Sequence, residues 1–226
     1  MSSNDVSVVL VHGAWADGSS WAKIIAPLAA DGIKVVAAQM PLTSFDEDVA
    51  AVQRAIDRAP GKVVLAGHAY GGAVISAVRD EKVKALVYVA AGAPDEGETI
   101  VEAFYGAEPP KLDLDAHGLI ALPEPAFAAT FAPDASPEEQ AVLAATQHPI
   151  SPACITVPLP HPLWKDLPAW FLVAEQDRML SPDRQRFMAQ RMKARQHSYA
   201  TDHTPIVTAP WAVLAVLREA IASVKG

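Results

Sequence analysis

Short runs of aliphatic and β-branched residues alternate with stretches of helical periodicity along most of this chain. Val6-Ser7-Val8-Val9-Leu10-Val11 is apolar at every position but one and predicts a buried strand. Runs at Ile33–Ala38, Lys62–Ala66, Val83–Ala90 and Ala169–Ala174 predict four more, and His197–Tyr199 a sixth. Helix signals fall between them. Ser19-Ser20 offers an N-cap for Trp21–Ala30, which Gly32 ends. Ser44-Phe45-Asp46-Glu47 has the capping-box pattern and opens a helix to Arg58, with Val49, Val52 and Ile56 on one face. Ala73–Val78 is a further helix. Ser181-Pro182 caps Asp183–Met192, and the last helix, Pro210–Val224, is expected to turn Trp211, Leu214, Leu217 and Ile221 inward. Such alternation predicts an α/β fold, a mostly parallel six-stranded sheet with helices on both faces. Ligands of such sheets bind at the carboxyl ends of the strands.

The alternation breaks at residues 94–168. That stretch holds 13 of the 19 prolines and one clear helix signal, Ser136-Pro137-Glu138-Glu139, running to Gln147. Phe104, Tyr105, Phe127, Phe131 and Trp164 are scattered through it. A long insertion after a strand end reads as a lid over the crevice, set into a core made of 1–93 and 169–226. The plainer alternative is a surface excursion whose aromatics pack among themselves. Trp15, Phe104, Phe131 and Trp164 are the candidate substrate-binding residues.

Length and composition narrow the class. The 226 residues, 51% hydrophobic and 19% charged, suit one globular domain with a full core. A net charge of −8 argues against nucleic acid and anionic membranes as partners. Cys154 is the single cysteine, so no intrachain disulfide forms. Met1-Ser2-Ser3-Asn4-Asp5 lacks the basic-then-apolar pattern of a signal peptide, and no apolar run reaches membrane-spanning length; a cytoplasmic location is expected. There is no clustered Cys/His metal pattern and no phosphate-cradling G-x-x-x-x-G-K, so no metal or organic cofactor is expected. Monomer and homodimer both remain open.

One stretch carries chemistry. The strand Lys62–Ala66 runs through Gly67-His68-Ala69-Tyr70-Gly71-Gly72 into a helix. Strand, sharp turn and helix, with glycines on both sides of the tip, is the order of a nucleophile elbow, G-x-S-x-G. Here the tip is Ala69, which has no atom to attack with. A plain βα turn has the same glycines. Acyl transfer by serine also needs a base and a carboxylate to orient it, in the chain order Ser, Asp or Glu, His. Asp177 follows a strand end and His203 lies in the loop before the last helix, both downstream of Ala69; Glu175 and Asp202 are alternative carboxylates.

In these segments the chain resembles the α/β-hydrolases, over essentially its whole length. It is similar to their small-lid subgroup of plant methyl-ester hydrolases, hydroxynitrile lyases and bacterial esterase relatives. The resemblance rests on Val9-Leu10-Val11-His12-Gly13-Ala14-Trp15, the elbow, Ala90-Ala91-Gly92-Ala93-Pro94-Asp95-Glu96-Gly97, Glu175-Gln176-Asp177-Arg178 and Asp202-His203. It implies an α/β-hydrolase fold with a short helical lid. It also implies His203 as general base, Asp177 as its partner, and the N–H groups of Ala14 and Tyr70 as an oxyanion hole. His12 and His68 would support these loops. The implied partner is a small-molecule ester, thioester or lactone with an apolar part. Ala69 then has two explanations: an engineered Ser→Ala, or a natural pseudo-hydrolase that binds without turnover. Elbows of epoxide hydrolases and dehalogenases carry aspartate, but epoxide hydrolases usually have proline where Trp15 stands. Hydroxynitrile lyases typically have threonine at Gly13 and lysine at Thr204.

Overall fold

The computed structural model describes residues 6–106 and 113–225. The N-terminal stretch Met1–Asp5, read above for a leader, lies outside the described residues. Six strands form one sheet: β1 (Val6–Val11), β2 (Lys34–Ala37), β3 (Lys62–His68), β4 (Val83–Val89), β5 (Ala169–Ala174) and β6 (Arg195–Tyr199). Their order is β2-β1-β3-β4-β5-β6, and every neighbouring pair is parallel. The chain leaves β1 in one direction and β3 in the other, so the order reverses between these two neighbours. Their carboxyl ends flank the crevice that such a reversal creates.

The continuous apolar runs follow from burial on both faces. Val8, Leu10, Val64, Ala66, Val87 and Leu172 pack under α1 (Ala22–Ala30) and the C-terminal helix. Val9, Val11, Leu65, Leu86, Phe171 and Val173 pack on the opposite face. The helices there are α2 (Phe45–Arg58) and α3 (Gly71–Ala77). A parallel strand sandwiched by helices has no solvent face for polar residues, so alternation disappears.

Local signals set most helix ends. Ser44 accepts from the Glu47 N–H, as the capping pattern predicts, while the Glu47 carboxylate turns to the hydroxyls of Thr43 and Ser44. The turn before α1 differs from expectation. Asp17 caps it, accepting from Ser19, and Gly18–Trp21 winds as a tighter 3₁₀ turn. Asp17 stands two residues before Ser19 and caps from there, so a 3₁₀ turn precedes α1, which begins at Ala22 with no side-chain cap of its own.

The 94–168 segment contains more than the one expected helix. α4 (Ile100–Tyr105) opens with a full capping box between Thr99 and Glu102. α5 (Glu124–Ala126) runs into a π turn, Phe127–Phe131, and α6 (Pro137–Ala145) begins at the expected Ser136 capping box. Ile120 and Ile150 form an antiparallel bridge between these pieces. Between β5 and the last helix come α7 (Pro182–Arg191), capped by Ser181, and the single turn α8 (Pro205–Thr208).

In the last helix, α9 (Pro210–Lys225), Leu214, Leu217 and Ile221 are buried, but Trp211 is 64% exposed. The buried stripe is centred on Val213, Leu217 and Ala220; Trp211 lies about 200° from Val213 around the helix and stacks edge-on to Tyr199 instead. Leu217→Ala is therefore expected to cost about 2–5 kcal/mol by urea unfolding. Trp211→Ala is expected to cost less than about 1 kcal/mol, since most of the ring is already in water.

Candidate active site

The site grows from the turn between β3 and α3. Ala69 occupies its tip with φ of 49°, the left-handed region that a side chain makes costly. Three backbone bonds hold it there. Its N–H donates to the Val89 carbonyl (3.2 Å), and its carbonyl accepts from Gly72 (3.1 Å) and Gly92 (3.0 Å). The close approach expected at the glycines is present. A Cβ on Gly71 would lie 2.6 Å from the carbonyl oxygens of Val11 and His12, so only glycine lets the β1 loop touch the elbow.

That contact brings Gly13 and Ala14 beside Ala69. Among the described residues, the backbone N–H groups of Ala14 and Tyr70 donate no hydrogen bond, and both residues line one cavity with Ala69 and His203. Two N–H groups without a partner beside one cavity are donors from which an anion could accept.

The β1 loop is pinned by His12, which is fully buried. Its Nδ1–H donates to the Gly13 carbonyl (2.8 Å), and its Nε2 accepts from the Met40 N–H (3.0 Å). The backbone donor fixes the tautomer. His68 is equally buried. Its Nε2–H donates to the carbonyl of His203 (2.8 Å), tying the elbow strand to the loop after β6, and its Nδ1 has no partner among the described residues. Burial lowers His12 to about 4; burial and then the neighbouring His203 ring lower His68 to about 3. Both stay neutral at ordinary pH.

His203 and Asp177 meet directly. Nδ1 of His203 donates to Oδ2 of Asp177 at 2.8 Å, and both side chains are almost wholly buried. The opposite carboxylate oxygen accepts from the N–H groups of Met179 (2.7 Å) and Leu180 (2.9 Å). With Nδ1 committed, His203 keeps its Nε2 lone pair available toward the cavity, which is the arrangement of a base held in one tautomer. The rival carboxylates are occupied elsewhere. Glu175 pairs with Arg186, and Asp202 accepts from Thr204, Thr208 and the Asp134 N–H.

The cavity above Ala69 measures about 60 Å³ and is walled almost entirely by apolar groups. Trp15, Phe104 and Phe131 line it as expected, with Ile100, Tyr105, Ile120, Ile155 and Met179. Trp164 does not. It is buried in the core, where its short turn packs against α3, and its Nε1–H donates to the Pro94 carbonyl at 3.1 Å. The large apolar ring found its burial in the core under the insertion, and a backbone carbonyl there satisfies its N–H.

Sequence reading passed over two polar residues behind the site. Gln185 donates to Asp177 Oδ2 (2.8 Å) and to the Leu180 carbonyl (2.8 Å), and accepts from the Ala174 N–H (2.9 Å). Asp48 accepts from the Tyr70 hydroxyl (2.7 Å) and the Leu42 N–H (2.8 Å). Burial holds the Asp48 carboxyl above its ordinary range, against the lowering pull of those hydrogen bonds. Each sits inside an otherwise apolar helical stripe: Phe45, Asp48, Val52 in α2, and Gln185, Met188, Ala189, Met192 in and just after α7. A lone polar residue in such a stripe was the available signal.

Comparison with known proteins agrees with this architecture. The model of the alpha/beta hydrolase family matches residues 8–216. The chain belongs to this family. A carbendazim hydrolyzing esterase of Nocardioides sp. (strain SG-4G) is 31% identical over 121 residues, covering 46% of this chain and 49% of that protein. The chain thus spans about half the length of that relative. Among solved structures, an Arabidopsis methylesterase superposes with a TM-score of 0.78 at 18% identity, covering 96% of this chain and 99% of its own. A pyrethroid hydrolase from Sphingobium faniae JZ-2 gives 0.80 at 20% identity, with 96% and 98% covered. A pyrethroid hydrolase carrying a serine-to-alanine substitution gives 0.80 at 21%, with 95% and 96% covered. At these identities the likeness concerns the fold. No helix among the described residues is long and apolar enough to cross a membrane.

The two neutral histidines make stability depend on pH in a definite direction. An unfolded histidine titrates near ~6.5. Below that pH the unfolded chain takes up protons that folded His12 and His68 refuse, so stability falls as pH drops from about 6.5 toward 4. Each refused proton contributes up to about 1.4 kcal/mol per pH unit. Urea midpoints should fall steadily across this window, and His68→Gln, which keeps a donor for the His203 carbonyl, should remove about half of the slope. A level midpoint from pH 6.5 to 4.5 would contradict the assignment.

Proposed function

We propose that the chain is the scaffold of a serine carboxylester hydrolase whose nucleophile position holds Ala69, acting on a small or medium ester, thioester or lactone with an apolar part. The observation that carries this reading is that His203, hydrogen-bonded to Asp177 behind it, lines the same apolar cavity as a left-handed elbow residue and two residues whose N–H groups have no partner among the described residues. In this reading residues 94–168 act as the lid over a core of 1–93 and 169–226.

With serine at 69, His203 Nε2 would accept the hydroxyl proton as the oxygen attacks the ester carbonyl. The N–H groups of Ala14 and Tyr70 would receive the developing oxyanion, an interaction worth about 3 kcal/mol per donor. The His203 imidazolium, steadied by Asp177, would protonate the leaving alcohol. Water, activated by the same imidazole, would then release the acid. Ala69 supplies no attacking oxygen, so the chain as it stands is expected to bind esters without turning them over.

An engineered Ser→Ala fits this picture best, because the supporting groups are in place around an alanine in a costly backbone conformation; a pyrethroid hydrolase of similar fold has also been solved with that exchange. A natural binding protein is the second reading, favoured by Ala69 itself. The position of Gly13 speaks against hydroxynitrile lyase chemistry: an added Cβ there would stand 3.0 Å from that of Ala69. Thr204 is buried and donates its hydroxyl to the Phe131 carbonyl, leaving no lysine in that place.

Ala69→Ser should hydrolyse short p-nitrophenyl and methyl esters several orders of magnitude faster than the unchanged chain, and adding His203→Ala should remove that gain. If serine restores nothing and Ala69→Asp also fails on epoxides and haloalkanes, hydrolysis is the wrong reading and binding the right one. Activity on epoxides or haloalkanes with Ala69→Asp alone would move the chain to carboxylate-nucleophile chemistry.

A further inference from the structure

The cavity at Ala69 is small for the substrate class proposed. About 60 Å³ is well under half of the ~150 Å³ that holds a single benzene in a protein interior. An ester has two organic parts, and both do not fit there. A second cavity of about 260 Å³ shares one lining side chain with it, Trp15. Most of its wall is apolar surface, from Trp15, Ala16, Ala22, Val142, Leu143 and Val207, and polar residues of α6 and of the turn leading into α1, among them Asp17, Ser20 and Glu138, line the rest. Polar groups stand at its margin, where Lys23 of α1 pairs with Glu139 of α6 (2.5 Å) and donates to the Val207 carbonyl (2.8 Å).

Trp15 is itself unusual. It takes the left-handed conformation, φ 58°, immediately after Ala14, a strain that bulky residues rarely bear without a function. One hydrogen bond, from Nε1–H to the Ile120 carbonyl (2.9 Å), fixes the indole, which also meets Phe131 edge-on at 6.4 Å. The ring is only partly buried.

Resting on the esterase reading, we propose that the outer cavity is a second subsite for the apolar end of the same substrate, a linear alkyl chain, and that the Trp15 indole is the door between the two. The reacting carbonyl sits over Ala69. The chain passes Trp15 once the indole releases Ile120 and turns aside.

Binding to the unchanged chain tests this without any need for turnover. Straight-chain methyl esters from acetate to decanoate, titrated by calorimetry, should gain about fourfold in affinity per methylene beyond butyrate, the gain of burying each one. Val142→Trp and Thr146→Trp, both at exposed positions on the rim, should collapse the octanoate-to-acetate affinity ratio at least tenfold. Trp15→Phe, which removes the bond to Ile120, should speed octanoate association in stopped flow relative to acetate. Affinity that is flat beyond butyrate, or a ratio insensitive to both rim tryptophans, overturns the subsite. Graded, plug-sensitive binding alongside a hydrolytically silent Ala69→Ser would keep the subsite and reject the esterase reading; restored hydrolysis with flat binding would do the reverse.

Discussion

A single backbone torsion organises this protein. Ala69 holds the left-handed conformation at a cost of order 1–3 kcal/mol, and it does so because both of its peptide groups are bonded to neighbours that cannot move independently. The Ala69 N–H reaches Val89 at the end of β4, and its carbonyl is shared by Gly72 and Gly92. The sheet therefore fixes the tip of the turn from two sides. The cavity is placed relative to that tip: Tyr70, whose N–H has no partner among the described residues, follows it, and Ala14 is brought in by the close contact of Gly71 with the β1 loop.

Around the tip, buried polar groups act as ties between loops. His12 joins the β1 loop to the end of β2, His68 joins the elbow to the loop of His203, and Asp48 joins Tyr70 to α2. Asp202 and Thr204 join the loop of His203 to the 94–168 segment, through Asp134 and Phe131. Each loop crosses a region where a missing partner would leave a buried donor or acceptor unpaired, at about 1–3 kcal/mol. The ties therefore define the relative positions of four loops more sharply than apolar packing would. The same burial that makes them specific keeps the two histidines neutral at ordinary pH, whereas His203 lines the cavity.

The 94–168 segment contributes shape. Ile100, Phe104, Ile120 and Phe131 of this segment line the cavity together with the elbow, the β1 loop and His203, and their side chains make most of its wall apolar. Water excluded from such a site strengthens hydrogen bonds to any developing charge. Trp15 belongs to the β1 loop yet bonds to Ile120 of the segment, so the boundary between inner and outer cavities is shared by both parts of the chain.

The sequence by itself determined the layers, the parallel sheet and the strand ends where the site lies. Buried parallel strands must read as continuous apolar runs, and elbows with close backbone contacts must carry glycine, so both leave marks in the chain. It also set Asp177 and His203 in the order that the sheet brings together. Tertiary structure decided what periodicity cannot encode. Trp164 and Phe104 are both aromatic and both in the same segment, yet one packs under it and the other lines the cavity, because the direction of each ring depends on how short helices settle on the sheet. Trp211 satisfies an i, i+3 pattern with Leu214 and still faces outward, because the buried stripe of α9 is set by the neighbouring strands. Asp48 and Gln185 read as flaws in apolar stripes until the fold places Tyr70 and Asp177 against them. Hydrophobic spacing constrains which residues leave water; only the packed chain fixes which buried groups face one another.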